Sequence, residues 1–366
     1  MSTQFYKTEQ GPLLLIGTYT EPKESNSEGV YIYRMDGSSG KLSYETVIRD
    51  MPNVSFMAVH PQSGLIYAVN ETKEFQGQSG GGVSVIAFNS STNSFHVLDQ
   101  QSSGGQNPCY ISIEKTGRFA LVANYESGSV AMLPIQADGR LKPPSDVILH
   151  VGSSVHPERQ TGPHTHCIIP DPTNRFAIAV DLGMDKLVVY HIDFEFGKLH
   201  KHSEVAVEAG AGPRHLIFDS RGQYAFLLNE LNSTVNVYHY NHEMASFHQL
   251  QTISTLPEDF TGENYCADIH LSLDEKHLYA SNRQHDSLVC FKVDADKGKL
   301  TYQSRISSNG REPRIFALAP SGRFIVAVHQ KSNNAVIFRI DPDTGDLSHT
   351  GSEAQVDMPV HVKFIT

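Results

Sequence analysis

The chain has 366 residues (40.5 kDa), 39% of them hydrophobic and 19% charged, with a mean hydropathy of −0.31. These are values of a packed globule rather than a disordered chain. A formal net charge of −11, from 29 Lys and Arg against 40 Asp and Glu, argues against a nucleic-acid surface, which needs clustered positive charge, though a few convergent arginines could still hold a small anion. The longest aliphatic run near the start, Leu13–Ile16, is too short for a bilayer span or a signal-peptide core, so no membrane association is expected and the expected compartment is cytoplasmic.

The first predicted element is Leu13–Thr20 (LLLIGTYT), which looks like the second strand of a hairpin lacking its first. One unit then recurs along the chain: apolar alternation, a tight turn, and an apolar strand ending in a polar pair. It is clearest at Ile111–Tyr125, Leu216–Glu230 and Phe316–Gln330. Its turns fall at Gly64, Gly117, Asn174, Gly222, Glu275 and Gly322, spaced 53, 57, 48, 53 and 47 residues apart. A second unit, an alternating strand followed by a short restart, recurs at Gly40-Lys41-Leu42, Gly139-Arg140-Leu141, Gly197-Lys198-Leu199, Gly298-Lys299-Leu300 and Gly345-Asp346-Leu347. Weaker copies stand at Asn93-Ser94-Phe95 and Ala245-Ser246-Phe247.

Two hairpins, hence four short strands, in roughly 50 residues are the grammar of a β-propeller blade. No stretch carries a 3.6-residue apolar stripe of helical length. The repeats predict one all-β domain over 1–366, a seven-bladed β-propeller with four antiparallel strands per blade. The first hairpin occurs six times and the second seven, and Pro359–Phe364 (PVHVKF) matches Pro213–Phe218 (PRHLIF). The C-terminal strand is therefore expected to join the first blade, closing the ring and covering a sheet edge.

In such a blade the first strand starts, and the second ends, at the same face. The predicted starts are Asn107-Pro108, Pro163–His166 (PHTH), Pro213-Arg214-His215, Asp268 with His270, and Pro313-Arg314. The predicted ends are Asn70-Glu71, Asn124-Tyr125, Asp181, Asn229-Glu230, Asn282-Arg283 and His329-Gln330. One mouth so rich in arginine, histidine and carboxylate fits a small-molecule site. Plainer readings stand beside this one. Asn70, Asn229 and Asn282 suit turn caps, His270 a core histidine, Asp181 and Asp268 loop stabilisers, Glu230 an ion pair with Arg214, and Arg283 and Arg314 inward-facing salt bridges. His164 and His166 share a strand face by the two-residue period, without the third ligand that a metal site needs.

No metal and no organic cofactor is expected. Gln78–Gly82 (QSGGG) lacks the strand–turn–helix context of a phosphate loop, and neither G-x-S-x-G nor H-E-x-x-H occurs. Cys109, Cys167, Cys266 and Cys290 form no C-x-x-C pair and sit in apolar stretches, so they read as buried, reduced thiols.

Taken together, Ile16–Thr20 (IGTYT), Gly162–His166 (GPHTH), Gly212–His215 (GPRH), Leu228–Glu230 (LNE) and Ser281–Arg283 (SNR) resemble the lactonase family of seven-bladed propellers. That family contains cycloisomerase-type 6-phosphogluconolactonases and carboxymuconate lactonizing enzymes. The resemblance runs from Leu13 to Phe364 and implies a metal-independent catalytic site of one His, two Arg and a Glu: His164 or His166, Arg214, Glu230 and Arg283. Hairpin geometry adds His215, Arg314, Glu71, Asn124 and Gln330 as substrate contacts. Asp268 departs from the family pattern, and its role stays open. The implied reaction is hydrolysis of an anionic sugar lactone, 6-phosphogluconolactone foremost, a step of carbohydrate metabolism in the pentose phosphate pathway. The alternatives are a lactonizing cycloisomerase for muconate-type diacids and a non-catalytic propeller binding a ligand or a protein. Arginine alone supplies positive charge at all pH values, so Arg214 and Arg283 are expected to meet the substrate anion and the developing oxyanion, in either order. A carboxylate beside two arginines is the poorer base near neutrality. His164 or His166 is thus the favoured base, with Glu230 orienting it or the water.

Overall fold

The computed structural model describes residues 11–21, 23–89, 92 and 94–365. Among these the structure is all strand and turn, with no helix, and so no helix long and apolar enough to cross a membrane. The described residues build seven four-stranded antiparallel sheets and one two-stranded hairpin, the strand arithmetic of seven propeller blades. They cluster into two compact units, one of Ile48–Arg214 and one of the described residues up to Val47 together with those from His215 onward.

The first unit holds the sheets led by Val54–Val59, Pro108–Ile113 and Thr165–Pro170. In the first of these a small hairpin, Glu74–Phe75 with Gln78–Ser79, interrupts the second and third strands. The glycine-rich QSGGG segment thus belongs to a strand excursion. The second unit holds the sheets led by Tyr265–Leu271 and Pro313–Leu318 and, from His215 onward, the sheet led by Pro213–Phe218. Its last sheet is ordered Leu42–Ile48, Val30–Met35, Leu13–Thr18, Pro359–Ile365. The C-terminal strand does pair with the strand at Leu13–Thr18, from Leu13↔Ile365 to Gly17↔His361, with a slip before Thr18↔Pro359.

The turns explain the repeat. All six predicted turn positions of the first hairpin are left-handed, with φ between 57° and 73°. Of the second set, Gly40, Gly139, Gly197, Ala245, Gly298 and Gly345 are left-handed as well, and Asn93 lies outside the described residues. Glycine dominates because a Cβ is penalised there. At Gly298 the space is also missing, since a Cβ would come within 2.2 Å of the Tyr224 ring.

The second strands Phe119–Asn124, Phe176–Asp181, Tyr224–Asn229 and Phe324–His329 are buried along their whole length. That is why they read as continuous apolar runs, whereas outer strands such as Ser246–Ser254 alternate. Apolar cores lie between neighbouring sheets within each unit: Phe119, Leu121, Met132, Ile168 and Tyr190 in the first, Phe226, Val237, Ile269, Leu278 and Phe291 in the second.

Each cysteine is buried and free of disulfide. Burial pushes the Cys266 thiol up to about 11 and the Cys290 thiol up to about 12, which leaves almost no thiolate near neutrality. Native protein is expected to resist iodoacetamide for hours, all four thiols reacting only after denaturation. Fast labelling of any one in the folded state would contradict their burial.

Candidate functional site

The leading strands share a local device. At Val54/Phe56, Pro108/Tyr110, Thr165/Cys167, Cys266/Ile269 and Pro313/Ile315 the register with the second strand slips. Such a bulge bends the strand and re-aims a side chain. His166 lies inside one of these slips. The candidate residues fall into two clusters, one in each unit.

In the first unit, His164 stands one residue ahead of the strand Thr165–Pro170. Its backbone N–H donates to Asp181 Oδ1 at 2.9 Å, and its Nδ1 lies 3.0 Å from the Tyr125 carbonyl oxygen. A carbonyl only accepts, so the neutral ring carries its proton on Nδ1 and Nε2 is left as an acceptor. The ring is stacked on Tyr125, centroids 4.5 Å apart and planes 15° apart. His166 is different. It is buried, and Arg214 Nη1 hydrogen-bonds its Nε2. A guanidinium only donates, so the lone pair of His166 is committed to Arg214. Its ring also meets Tyr125, edge-on at 5.5 Å. The expectation of two histidines on one regular strand face gives way to two distinct surroundings, because the bulge and the strand start separate them.

In the second unit, Glu230 follows the strand Tyr224–Asn229 and Arg283 ends the strand His277–Arg283. Arg283 Nη2 meets Glu230 Oε2 at 3.0 Å, with side chains 12% and 2% exposed. The guanidinium also donates to the carbonyls of Tyr265 (3.4 Å) and Cys266 (3.3 Å) and lies over the Tyr265 ring. Glu230 thus makes an ion pair with Arg283.

His215 is buried with Nδ1 3.0 Å from Asp268 Oδ1. Asp268 Oδ2 takes His270 Nε2 at 2.9 Å and the Phe316 N–H at 3.1 Å. Burial alone would raise this carboxyl, yet the charge of His270 and the hydrogen bonds from His215 and His270 hold it well below the usual range. Asp268 was expected at a strand start and instead lies inside the strand Tyr265–Leu271, within its bulge. Arg314 stacks over Tyr19 at 5.4 Å. Glu71 and Gln330 are half-buried, their N–H groups donating to the carbonyls of Asn53 and Glu312. Asn124, expected among the substrate contacts, is fully buried, and its amide donates to Ser103 O and Ser129 Oγ. It belongs with Asn229 and Asn282, buried side chains bonded within their own turns, and with the buried Asn70, whose amide donates to Pro52 O. Among the described residues, no three His, Cys, Asp or Glu side chains are grouped so as to hold a metal ion.

The family described as "Lactonase, 7-bladed beta-propeller" matches residues 13–364. The chain belongs to this lactonase family. The 6-phosphogluconolactonase of Bacillus subtilis (strain 168) is 34% identical over 350 residues, spanning 96% of this chain and 97% of that one. The 6-phosphogluconolactonase of Formosa agariphila is 29% identical over 96% of this chain and 99% of that one. The solved structure of the periplasmic gluconolactonase of Pseudomonas aeruginosa superposes with a TM-score of 0.91 at 34% identity, over 97% of this chain and 99% of that one. The fold is the seven-bladed β-propeller of that family, four antiparallel strands to each blade.

In this lactonase-family chain two residues near His164 extend the expected site. Asp181, expected as a strand end at the mouth or as a loop stabiliser, holds the His164 backbone. His150, which binds Asp181 at 2.6 Å, was not considered, because it sits in a stretch without any repeated motif. The signal for Asp181 was present: it is a carboxylate at a position where four other copies of the unit have asparagine.

Proposed function

We propose that this chain is a lactonase that hydrolyses 6-phosphogluconolactone to 6-phosphogluconate. The observation that carries the reading is the near full-length likeness to the Bacillus 6-phosphogluconolactonase, joined to a histidine, His164, whose Nε2 is an acceptor with its tautomer set. We infer that His164, His166, Arg214, Glu230 and Arg283 carry the reaction, as the lactonase-family resemblance implies. His164 Nε2 removes a proton from water as the oxygen attacks the lactone carbonyl. The negative charge that develops on the carbonyl oxygen meets one arginine, and the other meets the substrate's own anion. The tetrahedral adduct then breaks its bond from the carbonyl carbon to the ring oxygen, which takes the proton back from His164 and leaves as a hydroxyl. His166 and Glu230 orient the two guanidinium groups. A cytoplasmic location, a single cooperative domain and a place in the pentose phosphate pathway belong to the same proposal.

The test is the rate of hydrolysis of freshly generated 6-phosphogluconolactone by purified protein, against its spontaneous rate. No acceleration there, with turnover of a muconate-type diacid instead, would replace this reading by the cycloisomerase one. No metal enters the proposed steps, and activated ester chemistry can run on positioning and charge. Activity is therefore expected to survive EDTA unchanged. Loss on chelation with recovery on adding calcium or zinc would overturn the proposed mechanism.

A further inference from the structure

Asp181 differs from its counterparts. The corresponding second strands end on Asn70, Asn124 and Asn229 in three sheets and on His329 in another, with Asn282 one residue before the end in a further sheet, whereas here the end is a carboxylate. Three donors converge on it: the backbone N–H groups of His164 (2.9 Å) and Met184 (3.1 Å) on Oδ1, and His150 Nδ1 (2.6 Å) on Oδ2. A carboxylate accepts all three, whereas an asparagine would turn its NH2 toward at least one of them. The Asp181 and His150 side chains are 0% and 3% exposed. His150 is braced from behind, its Nε2 2.8 Å from the Tyr190 hydroxyl and its ring stacked on the Tyr190 ring.

We propose that Asp181 is a positioning residue for His164, with the His150–Tyr190 pair as its brace; this rests on the reading of His164 as the base. The imidazole of His164 is fixed at two ends. Tyr125 holds the ring through its carbonyl and its aromatic face, and Asp181 holds the peptide from which the ring hangs. The second hold is charge-assisted and buried, roughly twice as strong as a neutral hydrogen bond. Releasing it lets the peptide, and Nε2 with it, shift relative to the substrate. A displacement near 1 Å at a reacting group can cost on the order of 100-fold.

The experiment is Asp181→Asn in the full chain, chosen because asparagine fits this position in four sister sheets. It reads kcat and KM on 6-phosphogluconolactone, thermal unfolding, and amide hydrogen exchange at His164. We expect a folded protein with kcat lowered roughly 10- to 100-fold, KM changed by less than about threefold, and faster exchange at His164. A purely structural role would lower activity only in proportion to the folded fraction. A folded variant with wild-type kcat, or with unchanged exchange at His164, overturns the proposal. If Asp181→Asn does not fold, His150→Gln removes the brace but keeps the carboxylate. It should show the same loss in kcat alone at smaller amplitude, and wild-type kcat there overturns the proposal too. Should the wild-type protein not hydrolyse the lactone, the lactonase reading fails by itself. Exchange at His164 in the Asp181→Asn protein then still decides the clamp, faster exchange upholding it and unchanged exchange overturning it.

Discussion

Arg214→Ala and Arg283→Ala are each expected to lower lactone turnover by about 10²–10³, the usual effect of deleting one group that stabilises a developing oxyanion. Both variants should also lose stability. Arg283 pairs with the buried carboxylate of Glu230, and removing one partner of a buried ion pair costs about 3–5 kcal/mol. Arg214 donates to the buried His166 ring, and leaving a buried acceptor without its donor costs about 1–3 kcal/mol. Against a total stability of about 5–15 kcal/mol, Arg283→Ala should melt well below the wild type. The double variant Glu230→Gln/Arg283→Ala removes the carboxylate charge together with its partner. It should regain part of the melting temperature and none of the activity. Glu230→Gln alone keeps a neutral acceptor beside Arg283 and should slow turnover less. Steady-state kinetics with thermal melts would check this set; two folded arginine variants working at the wild-type rate would place the chemistry elsewhere.

Deleting 359–366 should abolish stable folding. The strand Pro359–Ile365 buries Val360, Val362 and Ile365 at 0–2% exposure, each worth about 1.5–3 kcal/mol. Its loss also uncovers Leu13–Thr18, a strand buried along its whole length, and leaves one row of its backbone groups unpaired. The sum approaches the whole stability of an ordinary domain. Circular dichroism and size-exclusion chromatography would show an aggregated or unfolded product. A monomer with an unchanged melting temperature would show that the pairing contributes little.

The fold was legible because its signal is local and repeated. Every copy must spell a left-handed turn at the same place, so Gly64, Gly117, Gly222 and Gly322 mark the period even where Asn174 and Glu275 stand in for glycine. The pairing of the last strand was legible from counting hairpins. The site was legible only as positions. Strand ends and strand starts could be collected from spacing, but spacing carries no information about which partner a side chain takes. Arg283 was foreseen and its bond to Glu230 was not, since that bond joins strands of different sheets. Asn124 and Asp181 hold equivalent positions, yet one caps its own turn and the other binds the peptide of His164. His164 and His166 could not be told apart until the bulge between Thr165 and Cys167 was seen, because a bulge leaves no mark in an alternating pattern.

The sheet built from both ends of the described chain also has a history in time. Its strands at Leu13–Thr18, Val30–Met35 and Leu42–Ile48 are synthesised early, and their fourth partner is Pro359–Ile365. At about 5–20 residues per second, translation of the residues between Thr18 and Ile365 occupies roughly 20–70 s. Through that interval the nascent polypeptide carries an apolar ribbon, LLLIGT, with one flank open. Slow translation lengthens this exposure and favours capture by a holding chaperone or by another nascent chain. Yield in the cell should therefore respond to synonymous codon changes, through the waiting time of the earliest strands, even where the mature protein is unchanged.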